Sequence, residues 1–229
     1  MQQAFFKVII ATEAHHDFAP LICEEMETSA KARGTGIAKR SPEYLMQKMT
    51  EGKAVIAFSD QGEWAGFCYI ETWGHGQHVA NSGLIVSPHF RKGGLAKLIK
   101  RRIFDLSRAT YPEAKIFGLT TGLAVMKINS ELGYEPVTYS ELTSDDAFWA
   151  GCQSCVNFDI LMAKERKNCL CTAMLYDPAE KAGSESPLSE LQTSEKRHTV
   201  LSEKWQKARA RALHLFRPKI DKIRSFLFI

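Results

Sequence analysis

The sequence predicts an α+β domain: a mixed, mostly antiparallel central sheet flanked by helices. Three observations carry this. Extended apolar segments alternate with stretches of helical periodicity, two of the extended segments flank a tight turn, and a third runs through a glycine loop straight into a helix.

In chain order, Phe5 to Ala11 reads as a strand. His15 to Lys31 reads as a helix, with Phe18, Leu21, Ile22 and Met26 near helical spacing. Ser41-Pro42-Glu43 is a helix start, with serine as N-cap, proline at the first helical position and an acid in the first turn; this helix stops at Gly52. Ala54–Ser59 and Trp64–Trp73 are strands joined by the turn Asp60-Gln61-Gly62, a hairpin signal. Val79–Val86 is the next strand. A helix from Leu95 to about Thr110 follows, with Leu98, Ile99, Ile103 and Leu106 at helical spacing. Lys115–Thr120 is a strand, Leu123–Leu132 a helix ended by Gly133, and Tyr134–Tyr139 a strand. Asn157–Met162 reads as the last strand of the body.

With 229 residues, 45% of them apolar, the chain is long enough for one domain of ordinary size plus an appendage. The body is expected over 1–178, a flexible linker rich in Ser, Glu, Lys and Gly over 179–199, and a helical tail over 200–229. No run approaches transmembrane length and Met1 to Ala4 carries no signal pattern, so the expected address is the cytoplasm, with the six cysteines reduced. Eight Lys or Arg against one Asp lie in 204–229, which leaves the body slightly acidic and without a compositional argument for nucleic acid.

The most informative run is Val86-Ser87-Pro88-His89-Phe90-Arg91-Lys92-Gly93-Gly94-Leu95-Ala96. A helix N-terminus presents unpaired N–H groups and the positive end of its dipole, glycines allow close backbone approach, and Arg91 and Lys92 add charge. Together these suit a pyrophosphate. Neither the dinucleotide-binding glycine pattern nor a Walker motif is present. The spelling V-x-P-x-x-R-x-x-G-x-A, with Arg91, Gly94 and Ala96 at fixed positions, resembles the acyl-CoA loop of the GNAT superfamily of N-acyltransferases, and the order of elements over about 5–165 resembles its fold.

The resemblance implies a site. Arg91, Lys92, Gly93, Gly94, Leu95 and Ala96 would anchor the pyrophosphate. Backbone groups around Ile85 and Val86 would bind the pantetheine arm, and an N–H there would serve the thioester carbonyl. Many members carry a tyrosine that protonates the departing thiolate four residues before the glycine of a Leu-Gly-Phe/Tyr ending. That position is Asn129 here, and asparagine is no general acid at ordinary pH. The carboxylate often found on the strand before the loop is also missing, so Glu71 and His78 are the candidate general bases, with His75 a third.

Cys152-x-x-Cys155 and Cys169-x-Cys171 are the second feature. A C-x-x-C knuckle and two cysteines on one side of an extended segment would let four thiolates converge on a structural Zn²⁺. The alternatives are buried apolar cysteines or a redox pair. In the tail, Leu201, Trp205, Ala208, Ala212 and Leu215 recur at helical spacing among basic residues. This basic amphipathic helix suits docking on the body, on a second subunit of a homodimer, or on an anionic membrane surface.

The stretch from Gly52 to Pro178, including Phe148-Trp149-x-Gly151-Cys152 and Cys169-Leu170-Cys171, resembles a bacterial GNAT subgroup of arginine biosynthesis. That implies an N-acylglutamate synthase using acetyl-CoA or succinyl-CoA. A site for glutamate needs Arg or Lys for two carboxylates, and Arg33, Lys39 and Arg40 are the candidates. Other readings are acetylation of a peptide or another small amine, and a non-catalytic acyl-CoA-binding module.

Overall fold

A computed structural model describes residues 5–34 and 39–184. The expected linker beyond 184 and the whole of the expected tail lie outside the described residues. The chain divides into two units at Pro178, and the first contains the fold.

Seven strands form one sheet in the order β1-β2-β3-β4-β5-β7-β6. They are β1 (Phe6–Ile10), β2 (Ala54–Ser59), β3 (Trp64–Trp73), β4 (His78–Val86), β5 (Lys115–Thr120), β6 (Glu135–Val137) and β7 (Thr172–Tyr176). Every neighbouring pair is antiparallel except β4–β5, which is parallel and joined through a helical crossover. This is the mixed, mostly antiparallel sheet that the sequence predicts.

The helices are α1 (Ala19–Arg33), α2 (Pro42–Thr50), α3 (Leu95–Thr110), α4 (Leu123–Glu131), and the short α5 (Asp146–Ala150), α6 (Phe158–Ala163) and α7 (Pro178–Ser184). Ser41 caps α2 as expected, its side chain accepting from the Tyr44 amide at 3.3 Å. The first helix begins later than its apolar spacing suggests. Residues Glu13–Phe18 form a 3-10 segment, and α1 starts where Pro20, which has no N–H to donate, fits the first turn.

Strand alternation assigns the layers. Val55, Cys68, Ile70, Val79, Ile116 and Met174 point to one face, where they pack with Leu95, Ile99, Ile103 and Phe104 of α3 and with Leu132. Ile56, Phe67, Tyr69 and Ile85 point to the other face and pack with Ile22, Met26, Leu45 and Met49 of α1 and α2. Farther along this second face, Phe117 and Leu175 pack with Tyr139, Trp149 and Leu161 of the C-terminal segment.

Two expectations about the last strands are corrected. Asn157–Met162 is not a strand; Phe158–Ala163 is helical, with only Leu161 buried and Ile160 and Met162 exposed. The slot between β5 and β6 is taken by Thr172–Tyr176, whose Ala173, Met174 and Leu175 are buried because that strand has a neighbour on each side and cover on both faces. The predicted strand Tyr134–Tyr139 shortens to Glu135–Val137 at the sheet edge, where Pro136 is tolerated. Ala179–Ser184, where the expected linker begins, belongs to a short helix, Pro178–Ser184.

Two irregularities in β4 position the site. Its pairing with β5 covers only His78↔Lys115, Val79↔Ile116 and Ala80↔Phe117, after which the strands part. Its register with β3 shifts between Tyr69↔Ser82 and Phe67↔Ile85, leaving Gly83 and Leu84 in a bulge. Gly83 has φ +64°, and a Cβ there would lie 2.2 Å from the Tyr69 ring. Gly83→Ala is therefore expected to lower unfolding free energy by about 2 kcal/mol or more, from left-handed strain and a ring clash together. Urea denaturation checks this, and a loss below about 0.5 kcal/mol would show that the bulge tolerates a side chain.

Candidate active site

A cavity of about 940 Å³ occupies the gap where β4 and β5 part. Asn81–Leu84 form one wall and Phe117–Gly122 the other. Because paired residues share a face, Glu71, Ala80 and Phe117 face the α1/α2 layer, whereas Asn81 faces α3. The cavity has lining on both sides: Arg40, Tyr44 and Glu71 on the first, Lys100 and Asn129 on the second. It passes through the sheet.

Gly94, at φ +81°, caps α3 in a left-handed conformation that glycine adopts without strain. Lys92, at φ +67°, is left-handed as well, so the backbone curls around the first turn of the helix. Lys92, Gly93 and Gly94 are exposed, Ala96 is half-buried and Leu95 is fixed in the core. Amides of that first turn have no acceptor within the helix, so the loop presents donors to an anion. Arg91 braces the loop. Its guanidinium donates to the Val86 carbonyl at 3.0 Å, to Glu25 at 2.9 Å and to Ser29 Oγ at 2.6 Å, tying the loop to α1. Ile85 and Val86 are paired with Phe67 and Gly66, and the cavity wall is formed by Asn81–Leu84 just before them.

Of the two candidate bases, Glu71 lies in the cavity and His78 does not. The Glu71 carboxylate is 9% exposed; it accepts from Arg40 Nη2 at 3.0 Å and from the Tyr44 hydroxyl at 2.5 Å. Arg40 also donates to the Tyr69 hydroxyl at 3.0 Å. Burial and the neighbouring Glu71 raise the Tyr44 phenol above its ordinary pKa, so it stays a donor. His78 sits at the start of β4 with Nδ1 buried and unpartnered; burial and then Lys115 lower its pKa, which favours the neutral ring. His75 is on the turn before β4 and is also absent from the cavity wall.

Arg33, Lys39 and Arg40, the cations expected to meet a carboxylate-bearing substrate, all line the cavity, as does Lys48. Sequence reasoning missed Tyr44 and Lys100. Tyr44 follows the Ser-Pro-Glu helix start by one residue, and Lys100 falls in the apolar stripe of α3, which is the only signal that marks it.

The four cysteines come together around a small cavity of about 30 Å³ beside Leu119, Tyr139 and Leu161. Among the described residues, no group of three or more His, Cys, Asp or Glu is placed to hold a metal ion, so the expected Zn²⁺ centre finds no support there. The sulfurs have protein partners instead: Cys155 Sγ accepts from the Asn157 amide at 3.4 Å, and the Cys169 thiol donates to the Asn157 carbonyl at 3.7 Å. Burial first, then the neighbouring thiols, push the Cys171 pKa up to about 12.

No protein-family model matches the sequence, and no curated protein matches it. Solved structures do match by fold. One is the N-acetylglutamate synthase of Neisseria gonorrhoeae complexed with coenzyme A and N-acetyl-glutamate, at 19% identity and TM-score 0.55, over 77% of this chain and 36% of that one. This chain thus spans about a third of that synthase. A Mycobacterium tuberculosis protein in complex with CoA matches at 16% identity and TM-score 0.54, over 75% of this chain and 98% of that one. A GNAT superfamily phosphinothricin acetyltransferase from Sinorhizobium meliloti in complex with acetyl-CoA matches at 13% identity and TM-score 0.51, over 77% and 89%. The fold is the GNAT fold.

Removing one member of the Arg40–Glu71 pair leaves a nearly buried charge without its partner. Arg40→Gln is expected to cost about 2 kcal/mol, less than a fully enclosed pair because the cavity admits water, and adding Glu71→Gln should recover more than half. Denaturant titration of the single and double variants measures this. Cys171 is expected to react with iodoacetamide at pH 8 at least about tenfold more slowly than an exposed cysteine, since little of it is thiolate. Peptide-resolved alkylation rates test that expectation.

Proposed function

We propose that this chain, built on the GNAT fold, is an acyl-CoA-dependent N-acyltransferase. It moves an acetyl or succinyl group from a CoA thioester to the amino group of a small carboxylate-bearing amine, for which glutamate is the first substrate to test. One observation carries the reading: β4 parts from β5 to leave a cavity that holds a hydrogen-bonded carboxylate, Glu71, and the same strand runs on into a glycine-capped helix N-terminus.

The residues take separate roles. The loop from Arg91 to Ala96 offers amides and positive charge to the pyrophosphate. The parted strands leave room for the pantetheine arm, and the backbone at the Gly83–Leu84 bulge suits the oxygen that gains negative charge as the amine attacks. Glu71, reached from the α1/α2 face, accepts the proton that the amine loses, while Arg40 and Tyr44 fix its orientation. Arg33, Lys39, Arg40 and Lys48 surround that face with cationic side chains, which favours an acidic acceptor over a basic one. The N-acetyl-glutamate bound to the Neisseria synthase supports the choice of glutamate.

Thiol release from acetyl-CoA and succinyl-CoA, measured against a panel of free amino acids and one peptide, tests the proposal. Glutamate-dependent release is expected. Glu71→Gln should lower kcat by about 10²-fold or more while leaving CoA affinity within about threefold. Release with another amine would keep the transferase and discard glutamate. Silence of the wild-type protein with every amine would overturn the reading.

A further inference from the structure

Position 100 lies on the buried face of α3, directly after Ile99 and three residues before Ile103, where an apolar side chain is expected. It is a lysine with 2% of its surface exposed. No ion pair or hydrogen bond to it is found among the described residues; its ammonium stands over the Tyr134 ring, 5.5 Å from the centroid, with Cys68 as its electrostatic neighbour. A buried lysine with no carboxylate partner opposes folding, and a leucine or methionine would fill the same space without that cost. The stability of the fold does not account for it.

Its placement does. Lys100 borders the through-sheet cavity on the α3 face, opposite Glu71. Tyr134, under its ammonium, accepts from Asn81 at 3.2 Å, and Asn81 accepts from Ser107 at 2.7 Å. Asn81 is the residue at which β4 leaves β5, so this network holds Lys100 where the gap begins. Asn129 lines the same cavity, 1% exposed, with its side-chain oxygen buried and unpartnered. A buried acceptor and a cation that line one cavity, each without a hydrogen-bond or ion-pair partner among the described residues, mark a place completed by a ligand. Asn129 has no proton to give at ordinary pH, whereas an ammonium has.

We propose that Lys100 is the general acid of the acyl transfer, protonating the CoA sulfur as it departs. The proposal rests on the acyltransferase reading above. The amine approaches from the Glu71 face and forms the C–N bond. The C–S bond breaks, and its electron pair goes to sulfur on the α3 face. The Lys100 Nζ proton passes to that sulfur, the amine proton passes to Glu71, and water in the cavity reprotonates Lys100. Burial lowers the Lys100 pKa, which makes its ammonium a better proton donor than an exposed lysine. The titratable groups facing it are the Cys68 thiol on β3 and the Tyr134 phenol, both raised by burial and neutral near pH 7. Neither lines the cavity, whereas Lys100 does.

The measurement is the pH dependence of kcat for wild type, Lys100→Met and Lys100→Arg, with CoA affinity measured separately by calorimetry. The acid must be protonated to act, so wild-type kcat should fall as pH rises through the Lys100 pKa, below the usual lysine range near 10.4. Lys100→Met should lose about 10²-fold or more in kcat and lose this descending limb, with CoA affinity within about threefold. Lys100→Arg should recover part of kcat, with the limb moved to higher pH. Three results would overturn the proposal: a Lys100→Met kcat within threefold of wild type, a loss confined to CoA affinity, or a wild-type profile with no descending limb below about pH 10. The last needs no variant to fold. A wild-type protein inert toward every amine would overturn the acyltransferase reading itself, a separate outcome.

Discussion

The molecule depends on a ladder that stops early. β4 and β5 share three register positions and then separate, although both continue for several residues. Interior backbone amides and carbonyls must be satisfied, so parted strands inside a sheet are stable only where solvent or a ligand takes the place of the missing neighbour. The bulge at Gly83–Leu84 adds a turn to β4 at the same level, and the α3 N-terminus lies at the end of that strand. Gap, bulge and helix terminus are successive along one stretch of chain. The rest of the fold holds that stretch in place.

The two faces of the sheet support it differently. On the α1/α2 face, polar groups are bound to one another: Glu71 with Arg40 and Tyr44, Arg40 with Tyr69, and Arg91 with Glu25 and Ser29. Such networks stabilise little net of desolvation, but they fix side-chain orientation. On the α3 face the packing is apolar, from Leu95 through Ile99 and Ile103 to Phe104, and the polar residues within it are Ser107, Asn81, Asn129 and Lys100. The first arrangement is complete as it stands. The second leaves Lys100 without an ion pair and the Asn129 oxygen without a hydrogen bond among the described residues.

Much of this architecture was legible in the sequence. The strand, glycine loop and helix around Arg91 to Ala96 follow from local rules, since proline, glycine and an apolar stripe each restrict the backbone in a known way. The hairpin of β2 and β3 and the cap at Ser41 were legible for the same reason. What depends on distant neighbours was not. Thr172–Tyr176 becomes a strand because β5 and β6 flank it, whereas Asn157–Met162, with a comparable apolar run, has no such partners and turns helical from Phe158. The choice of Glu71 over His78 turns on register: the two lie on adjacent strands, and only Glu71 falls beside the gap. Cysteine spacing brought four sulfurs together without placing them to hold a metal. Lys100 was hidden by its residue type, because a lysine in a helix reads as surface until the helix is seen against the sheet.

A passage with lining on both faces also bears on traffic. A pocket with one mouth imposes a queue, in which the first molecule in is the last one out. Here the opening is lined from both layers, by Arg40, Tyr44 and Glu71 on one and by Lys100 and Asn129 on the other, which would give two reactants separate doors. In the proposed reaction both would be resident together, and the acyl group would pass between them directly without being parked on the protein. On that proposal the chain would need no nucleophile of its own.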